Sequence, residues 1–302
     1  MEHVSATGGR QMPGRSTNMP HVPGVHEVPE VPVPQRALFG ISSLLFAVSV
    51  AATIAGAESM SAMGGMPMPG GWTMSAAWMR MCGQTWPGLA ASFLGMWIVM
   101  MVAMMLPSLV PMLWRYRRAV GATGETRLAS LTVLVGSGYF FVWTALGVAV
   151  FPLGVALAAL ERELPALARA VPVAVGVIVL IAGALQFTAW KARRLACCRA
   201  APGRCLMLQG LQGLQRVPGV PAGAATAWRH GLRLGLHCIY CCAGLTMILL
   251  VAGVMDWRVM AGVTAAITIE RLAPNGERAA RVIGAGIVGA GMLLIVRAVG
   301  LG

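Results

Sequence analysis

Apolar stretches long enough to cross a lipid bilayer recur along the whole 302-residue chain. A helix needs about 20 apolar residues to span the ~30 Å of hydrocarbon. We place candidate spans at 37–57, 89–113, 129–157, 170–190, 232–254, 259–272 and 280–299. These stretches are apolar all round, whereas strands of a membrane barrel alternate apolar and polar residues. The sequence therefore predicts an all-α, polytopic transmembrane helix bundle of about seven spans, or six if the short stretch 259–272 does not cross.

Charge is scarce in this chain and unevenly distributed. Only 11% of the residues are charged, and the net charge is +13. If there are seven spans, 18 of the 23 Lys and Arg residues fall on one side of the membrane and 5 on the other. Because positively charged loops stay in the cytoplasm, the count predicts a cytoplasmic N-terminus and an outside C-terminus. The basic excess then reflects topology and contact with anionic membrane lipids rather than binding of nucleic acid.

The chain divides into a tail and one membrane domain. Residues 1–36 are rich in Pro, Met and His and hold too few apolar side chains to form a core. We expect them to be a disordered cytoplasmic tail. Residues 37–302 are expected to form a single transmembrane helical domain, with a Met-rich outer loop at 58–88 and a basic cytoplasmic loop at 191–231.

The 21 methionines concentrate in the outer loop and in the second span. A thioether is a soft, uncharged ligand that suits Cu(I) far better than Zn(II) or Mg(II), and the loop adds a lone thiol at Cys82. The loop is therefore either a collector of Cu(I) or Ag(I) or apolar packing at the membrane surface. In the second span, Met100 and Met104 lie one helical turn apart, beside a neighbouring row with Met101 and Met105. This stripe indicates either helix packing or a ladder of ligands.

Thiols and imidazoles gather in the first half of the fifth span, around the segment LHCIYCCAGLTMILL. On a helix, Cys238, Cys241 and Cys242 lie within an arc of about 100°. His230 and His237 lie within about 40° of Cys241 on the same helix. Thiolates and imidazoles on one face are the ligands of a soft metal ion. The pattern predicts a metal or redox role for this face.

The methionine stripe and the cysteines are predicted at the same depth in the membrane. At ~1.5 Å per residue, Met104 and Cys241 each lie about 13 Å from the inner ends of their spans. If those two helices pack together, Met104 or Met105 completes a site begun by Cys238, Cys241 and Cys242. A bound Cu⁺ would offset the high cost of burying a thiolate.

Glu270 is an ionisable residue inside the sixth candidate span, directly before Arg271. Such residues are costly in a membrane and usually functional. We expect an ion pair between these two side chains at the membrane interface, with metal ligation or proton transfer as the alternative.

Four segments, in a fixed order, resemble one bacterial family. They are MWIVMMVAMMLPSLVPM, LQFTAWKARRLACCR, GLRLGLHCIYCCAGLTM and IERLAPNG. Together they are similar to the predicted metal-binding membrane proteins known as domain of unknown function 2182, and the resemblance covers roughly residues 38–298. It implies a multi-pass protein of the bacterial inner membrane, related to copper chaperones that serve secreted or membrane copper enzymes.

The resemblance also assigns motif positions. The family's Met-Met-x-x-Met-Met-x-Pro motif falls on residues 100–107, and its Cys-x-x-Cys-Cys motif falls on residues 238–242. Further matches are Gln186, Lys191, Glu270, Pro274 and Gly276. Two positions depart from the family pattern. Arg194 stands where we expect the first cysteine of the basic loop, with Cys198 matching the second, and Ala243 replaces an aromatic residue.

These features together predict an integral membrane protein that binds Cu(I), or another soft metal ion, and moves or delivers it during copper-enzyme maturation or copper homeostasis. The candidate metal ligands are Cys238, Cys241, Cys242, His237, Met100, Met101, Met104, Met105, His230, Cys198 and Cys82. The expected partner, besides lipid and metal, is a copper-dependent acceptor protein. The oligomeric state is left open.

Two other functional classes stay open at this point. A membrane thiol-disulfide oxidoreductase would use Cys238 and Cys241 as a redox pair, but it needs partner cysteines on the oxidising side, where the topology predicts only Cys82. A secondary transporter of another substrate would show inverted repeats, and none is evident. The sequence contains no Gly-x-x-x-x-Gly-Lys-Ser/Thr segment and few acidic or histidine side chains, so we predict that the chain is not an enzyme.

Overall fold

The fold is an α-helical bundle with one small hairpin. A computed structural model describes residues 35–62, 64–80, 83–120, 125–199, 223–254 and 256–300. The helices are α1 (Gln35–Ala62), α2 (Trp86–Val120), α3 (Glu125–Glu163), α4 (Pro165–Leu185), α5 (Ala189–Arg199), α6 (Ala224–Ala252), α7 (Trp257–Leu272) and α8 (Gly276–Gly300). The antiparallel strands β1 (Met66–Met68) and β2 (Trp72–Met74) precede α2. The predicted tail up to residue 34, and residues 200–222 of the basic loop, lie outside the described residues.

Six of the described helices are long and apolar enough to cross a membrane: α1, α2, α3, α4, α6 and α8. They coincide with six of the seven candidate spans. The seventh candidate, 259–272, is α7. Its 16 residues extend only about 24 Å, less than the ~30 Å of hydrocarbon. The predicted all-α transmembrane bundle is confirmed, with six full-length spans in the described part of the chain.

The helices α6 and α7 form a tight antiparallel hairpin. Gly253 ends α6 with a φ of +129°, a conformation that L side chains rarely adopt. The Asp256 carboxylate then accepts hydrogen bonds from the backbone N–H groups of Arg258 and Val259, which caps the first turn of α7. Because the connection is so short, the last turn of α7 lies beside the middle of α6.

The helix directions place residues 35 and 300 at opposite ends of the bundle. Gly56, late in α1, lies against Met96, early in α2, so these two helices are antiparallel. Helix α8 is antiparallel to α4, because Gly284 lies against Gln186 and Gly291 lies against Leu180. The short α7 therefore returns the chain to the end of the bundle where α1 begins. Which end faces the cytoplasm stays a prediction from the charge count.

The parallel helices α3 and α6 approach each other closely along a glycine seam formed by Gly138, Gly231 and Gly235. A methyl group added to Gly138 would lie 2.7 Å from the Trp228 carbonyl oxygen, and one added to Gly235 would lie 2.9 Å from the Tyr139 carbonyl oxygen. Small residues spaced in this way let membrane helices pack with their backbones in contact. The seam holds Tyr139 of α3 against the middle of α6.

A break between α4 and α5 interrupts the predicted span 170–190. Helix α4 ends at Leu185, and α5 starts at Ala189, after three intervening residues. The Thr188 hydroxyl accepts a hydrogen bond of 3.2 Å from the backbone N–H of Lys191, as a capping side chain does at a helix start. Lys191 consequently lies in the first turn of a new helix rather than at the end of a membrane span.

The Met-rich outer loop contains the β1–β2 hairpin. Met68 and Met74 are buried in a small cluster with Ala158 of α3 and Ala168 of α4. The Trp72 indole N–H donates a hydrogen bond of 2.9 Å to the Ala168 carbonyl oxygen and fixes the hairpin in place. Two of the loop methionines thus serve as apolar packing, which favours that alternative for them, whereas Met66 is 42% exposed. Cys82 lies outside the described residues.

Candidate metal centre

Two cysteine thiols meet on the buried face of α6. Cys238 and Cys242 are one helical turn apart, and both side chains are about 1% exposed. Their Sγ atoms are 4.0 Å apart, and neither forms a disulfide. At this separation both sulfur atoms can bind one ion that lies to the side of the line joining them.

Met105 brings a third sulfur atom to the pair from α2. Its Sδ lies 3.9 Å from the Cys238 Sγ, and its side chain is fully buried. We call Cys238, Cys242 and Met105 the sulfur cluster. The sequence predicted that Met104 or Met105 would reach the cysteines, and Met105 is the one that contacts Cys238.

Arg271, in the last turn of α7, donates hydrogen bonds to both thiols of the sulfur cluster. Its Nη2 donates to the Cys238 Sγ at 2.9 Å and to the Cys242 Sγ at 3.3 Å. The α6–α7 hairpin sets this contact, because Cys238 and Arg271 lie at similar distances along the two helices from the connecting turn. A guanidinium group keeps its positive charge in proteins, so it stabilises the thiolate form of its sulfur partners.

Tyr139 contacts the same cysteine from α3. Its hydroxyl donates a hydrogen bond of 2.9 Å to the Cys238 Sγ, and the ring is completely buried. The glycine seam makes this contact geometrically possible, because it allows the two helix backbones to touch. Cys238 therefore receives donors from two helices other than its own.

A buried ion pair lies next to the sulfur cluster. The Lys191 Nζ is 2.7 Å from the Glu270 Oε2, and the two side chains are 5% and 2% exposed. The same Nζ donates a hydrogen bond of 2.8 Å to the Cys241 carbonyl oxygen. Lys191 thus connects α5 to both α6 and α7. This salt bridge joins Glu270 to Lys191 in the interior, and the expected pairing of Glu270 with Arg271 stays a prediction.

The remaining candidate ligands have varied surroundings. Met100, Met101 and Met104 are buried in the same apolar cluster as the cysteines. Cys241 is buried on α6, and His237 is partly buried one turn before it. His230 stacks on the Tyr116 ring, with ring centroids 5.3 Å apart. Cys198 lies in α5, but its side chain is outside the described part of the structure.

The described residues contain no group of three or more His, Cys, Asp or Glu side chains arranged to hold a metal ion. The donors that do converge are two thiols and a thioether. Such a mixed set of sulfur donors suits a soft monovalent ion better than Mg(II) or Ca(II).

Three residues of this centre were not among the predicted ligands: Arg271, Tyr139 and Lys191. Tyr139 carries no local signal, because its role depends on how α3 packs on α6. Arg271 did carry one, because it directly follows Glu270 inside an apolar stretch, where ionisable side chains are rarely accidental, whereas Lys191 lies among basic residues and stands out only through the family resemblance. The contact of Arg271 with the thiols depends on the turn before α7, and the contact of Lys191 with Glu270 depends on the break before α5.

An apolar groove of about 830 Å³ lies between α1, α2 and α7. Met100 and Met104 line it, together with Pro107 and Pro111 of α2. A proline inside a helix removes one backbone hydrogen bond and leaves a carbonyl oxygen to find another partner. Met104, which lines the groove, directly precedes Met105 of the sulfur cluster. The groove and the cluster are therefore adjacent along α2.

Comparison with known protein families identified a related family. A family model described as PpoB2, copper chaperone, matches residues 94–294, about two thirds of the chain. The matched region runs from α2 to α8 and contains the whole sulfur cluster with Tyr139, Lys191, Glu270 and Arg271, while α1 and the β1–β2 hairpin lie outside it. Comparison with curated proteins and with solved structures gave no match.

Proposed function

Because this chain belongs to the PpoB2 copper chaperone family, we propose that it binds Cu(I) at the sulfur cluster inside the membrane and delivers it to a copper-dependent acceptor protein, in copper-enzyme maturation or copper homeostasis. Membership in the family and six membrane-spanning helices make it a copper-related membrane protein. The proposal adds the ion, its ligands and its onward transfer, and places the protein in the bacterial inner membrane.

The observation that carries this proposal is the spacing of the three sulfur atoms. Three sulfur atoms bound to one ion in a plane, with metal–sulfur bonds of about 2.3 Å, are about 4 Å from one another. The two separations at Cys238, to Met105 and to Cys242, are 3.9 Å and 4.0 Å. An ion entering between these atoms would need little rearrangement of the helices.

Burial supports copper over a solvent-exchanging ion. The sulfur cluster is about 1% exposed or less, so an ion there is held without water ligands. Soft thiolate and thioether groups can complete the coordination of Cu(I) without water, whereas Mg(II) keeps several waters. The surrounding proposed donors are Cys241, His237, Met100, Met101 and Met104, with His230, Cys198 and Cys82 further out.

Transfer of the ion is proposed to use the apolar groove. Met100 and Met104 line the groove and are themselves buried. Neutral thioethers bind Cu(I) less tightly than thiolates do, so they can accept an ion and release it quickly. The β1–β2 hairpin is less suited as the collector, because Met68 and Met74 are already packed against α3 and α4.

A thiol-disulfide oxidoreductase is the alternative function from the sequence. The Cys238 Sγ lies 4.0 Å from the Cys242 Sγ, whereas the oxidoreductase would use Cys238 and Cys241 as the reacting pair. Both are deeply buried, and thiol exchange needs access for a substrate disulfide. The copper chaperone family supports the binding function instead.

The proposal is tested with detergent-purified protein loaded anaerobically with Cu(I). We expect one tightly bound ion with sulfur neighbours by X-ray absorption, and loss of that ion in the double variant C238S/C242S. Met105→Leu, which keeps the volume and removes the thioether, should weaken binding at least tenfold. Met74→Leu, which makes the same substitution at a buried methionine packed against α3 and α4, is the matched control and should bind as the wild type does.

Retention of the same sulfur-ligated copper in C238S/C242S would overturn the proposal. Equal weakening in Met105→Leu and Met74→Leu would remove Met105 from the ligand set and show that loss of methionine packing, rather than of the thioether, determines affinity.

A further inference from the structure

We propose that Arg271 makes the metal centre selective for a monovalent over a divalent ion. This inference rests on the proposed Cu(I) function and concerns only which charge the centre accepts. It starts from one geometric fact, which is that a single guanidinium nitrogen lies within hydrogen-bonding distance of both thiols, at 2.9 Å and 3.3 Å.

The charges around the sulfur cluster form a simple sum. Lys191 and Glu270 neutralise each other across 2.7 Å. The thioether of Met105 and the hydroxyl of Tyr139 are neutral, and Cys241, a proposed donor outside the sulfur cluster, is neutral as a thiol. A metal-bound cysteine is a thiolate, so Cys238 and Cys242 contribute two negative charges, and Arg271 contributes one positive charge that persists in proteins.

The centre therefore balances one positive charge from the metal. A monovalent ion such as Cu(I) or Ag(I) brings the sum to zero, whereas a divalent ion such as Zn(II) or Cd(II) leaves one positive charge. Uncompensated charge is costly in a membrane interior. Arg271 is 7% exposed, so water screens its charge only weakly.

Ligand chemistry alone does not give this selectivity. Thiolates bind Zn(II) and other soft or borderline divalent ions as well as Cu(I), so two cysteines and a methionine would accept either class. The fixed charge of Arg271 disfavours an ion with one more positive charge. At about 5 Å and an effective dielectric constant of about 20, the discrimination is roughly 100-fold or more in affinity.

The test compares Ag(I), as an air-stable monovalent probe, with Cd(II) in wild type, Arg271→Met and Arg271→Lys. The measured quantity is the ratio of the Ag(I) and Cd(II) dissociation constants, obtained by competition against a chelator. We expect Arg271→Met to shift the ratio towards Cd(II) by about 100-fold, and Arg271→Lys, which keeps the charge, to stay within about tenfold of wild type.

An unchanged ratio in Arg271→Met, or an equal shift in Arg271→Met and Arg271→Lys, would overturn the inference, because charge would then not set the selectivity. If Arg271→Met does not fold, Arg271→Gln carries the same comparison. In the wild type, Cd(II) bound at the two cysteines as tightly as Ag(I) would overturn the inference without any variant. If the proposed function itself is wrong, the result differs from both of these, because the wild type then binds neither Ag(I) nor Cu(I) at Cys238 and Cys242.

Discussion

Two ion pairs, Lys191–Glu270 and Arg281–Glu277, have the same distance but differ in burial, so they contribute differently to stability. Lys191 is 2.7 Å from Glu270 with both side chains almost fully buried, and Glu277 is 2.7 Å from Arg281 with both about 60% exposed. Removing one partner of a buried pair leaves an uncompensated charge and costs about 3–5 kcal/mol. An exposed pair one helical turn apart contributes about 0.5 kcal/mol or less.

We therefore predict that Glu270→Gln lowers the free energy of unfolding by about 3 kcal/mol or more, because the Lys191 ammonium group loses its counter-ion. Glu277→Gln is the control and should change it by less than about 0.5 kcal/mol. Unfolding in detergent, followed by circular dichroism against denaturant, measures both. Equal effects of the two substitutions would show that Lys191 reaches water when its partner is removed.

At the scale of helices, the contact between α3 and α6 determines whether Tyr139 reaches Cys238. Gly138 lies in this contact, and a methyl group there would be 2.7 Å from the Trp228 carbonyl oxygen. Gly136, two residues earlier on α3, has open space at the corresponding position. Both glycines lie on α3 but have different neighbours. Comparing alanine substitutions at the two positions therefore distinguishes the effect on helix packing from the effect on helix propensity.

We predict that Gly138→Ala destabilises the protein by about 1–3 kcal/mol, the usual cost of overpacking, and weakens Cu(I) binding because α3 moves away from α6. Gly136→Ala should leave both quantities near their wild-type values. Unfolding in detergent and Cu(I) competition against a chelator are the measurements. If Gly138→Ala binds Cu(I) as the wild type does, the Tyr139 contact is not needed for the metal centre.

The elements also explain what the sequence predicted and what it did not. Long apolar stretches predicted the bundle, and helix geometry placed Met104 and Cys241 at one depth, whereas the contact that the structure shows joins Met105 to Cys238. The break at residues 186–188 was hidden within an apolar stretch, although Thr188 three residues before Lys191 is a helix-start signal. Without that break, Lys191 could not be placed beside Glu270. From the sequence alone, Cys241 and Cys242 were equivalent as candidate metal ligands, and the position of α7 was needed to distinguish them.

At the scale of the whole molecule, the described chain alternates direction through the six long helices and the short α7. The contacts of Gly284 with Gln186 and of Gly291 with Leu180 fix α8 antiparallel to α4. Consequently residue 35 and residue 300 lie at opposite ends of the bundle, and the turn at Gly70 and Gly71 lies at the same end as residue 300. The excess of basic residues predicts that residue 35 faces the cytoplasm.

We therefore predict that a C-terminal epitope tag is accessible to protease from outside intact spheroplasts, whereas an N-terminal tag becomes accessible only after the membrane is permeabilised. A tag inserted at Gly70 should behave as the C-terminal tag does, because both lie at the same end of the bundle. Cleavage of the two terminal tags under the same condition would show that α7 does not carry the chain across.

The length of α7 has a consequence for insertions and deletions. The chain turns at Gly253, is capped at Asp256 and reaches Arg271 after four turns of helix, so each residue in this stretch sets the direction of the guanidinium group. Adding or removing one residue would rotate Arg271 by about 100° around the helix axis, away from both thiols. Side chains on the lipid-facing surface of α7 can vary, but the number of residues between Gly253 and Arg271 cannot change without moving the positive charge off the sulfur atoms.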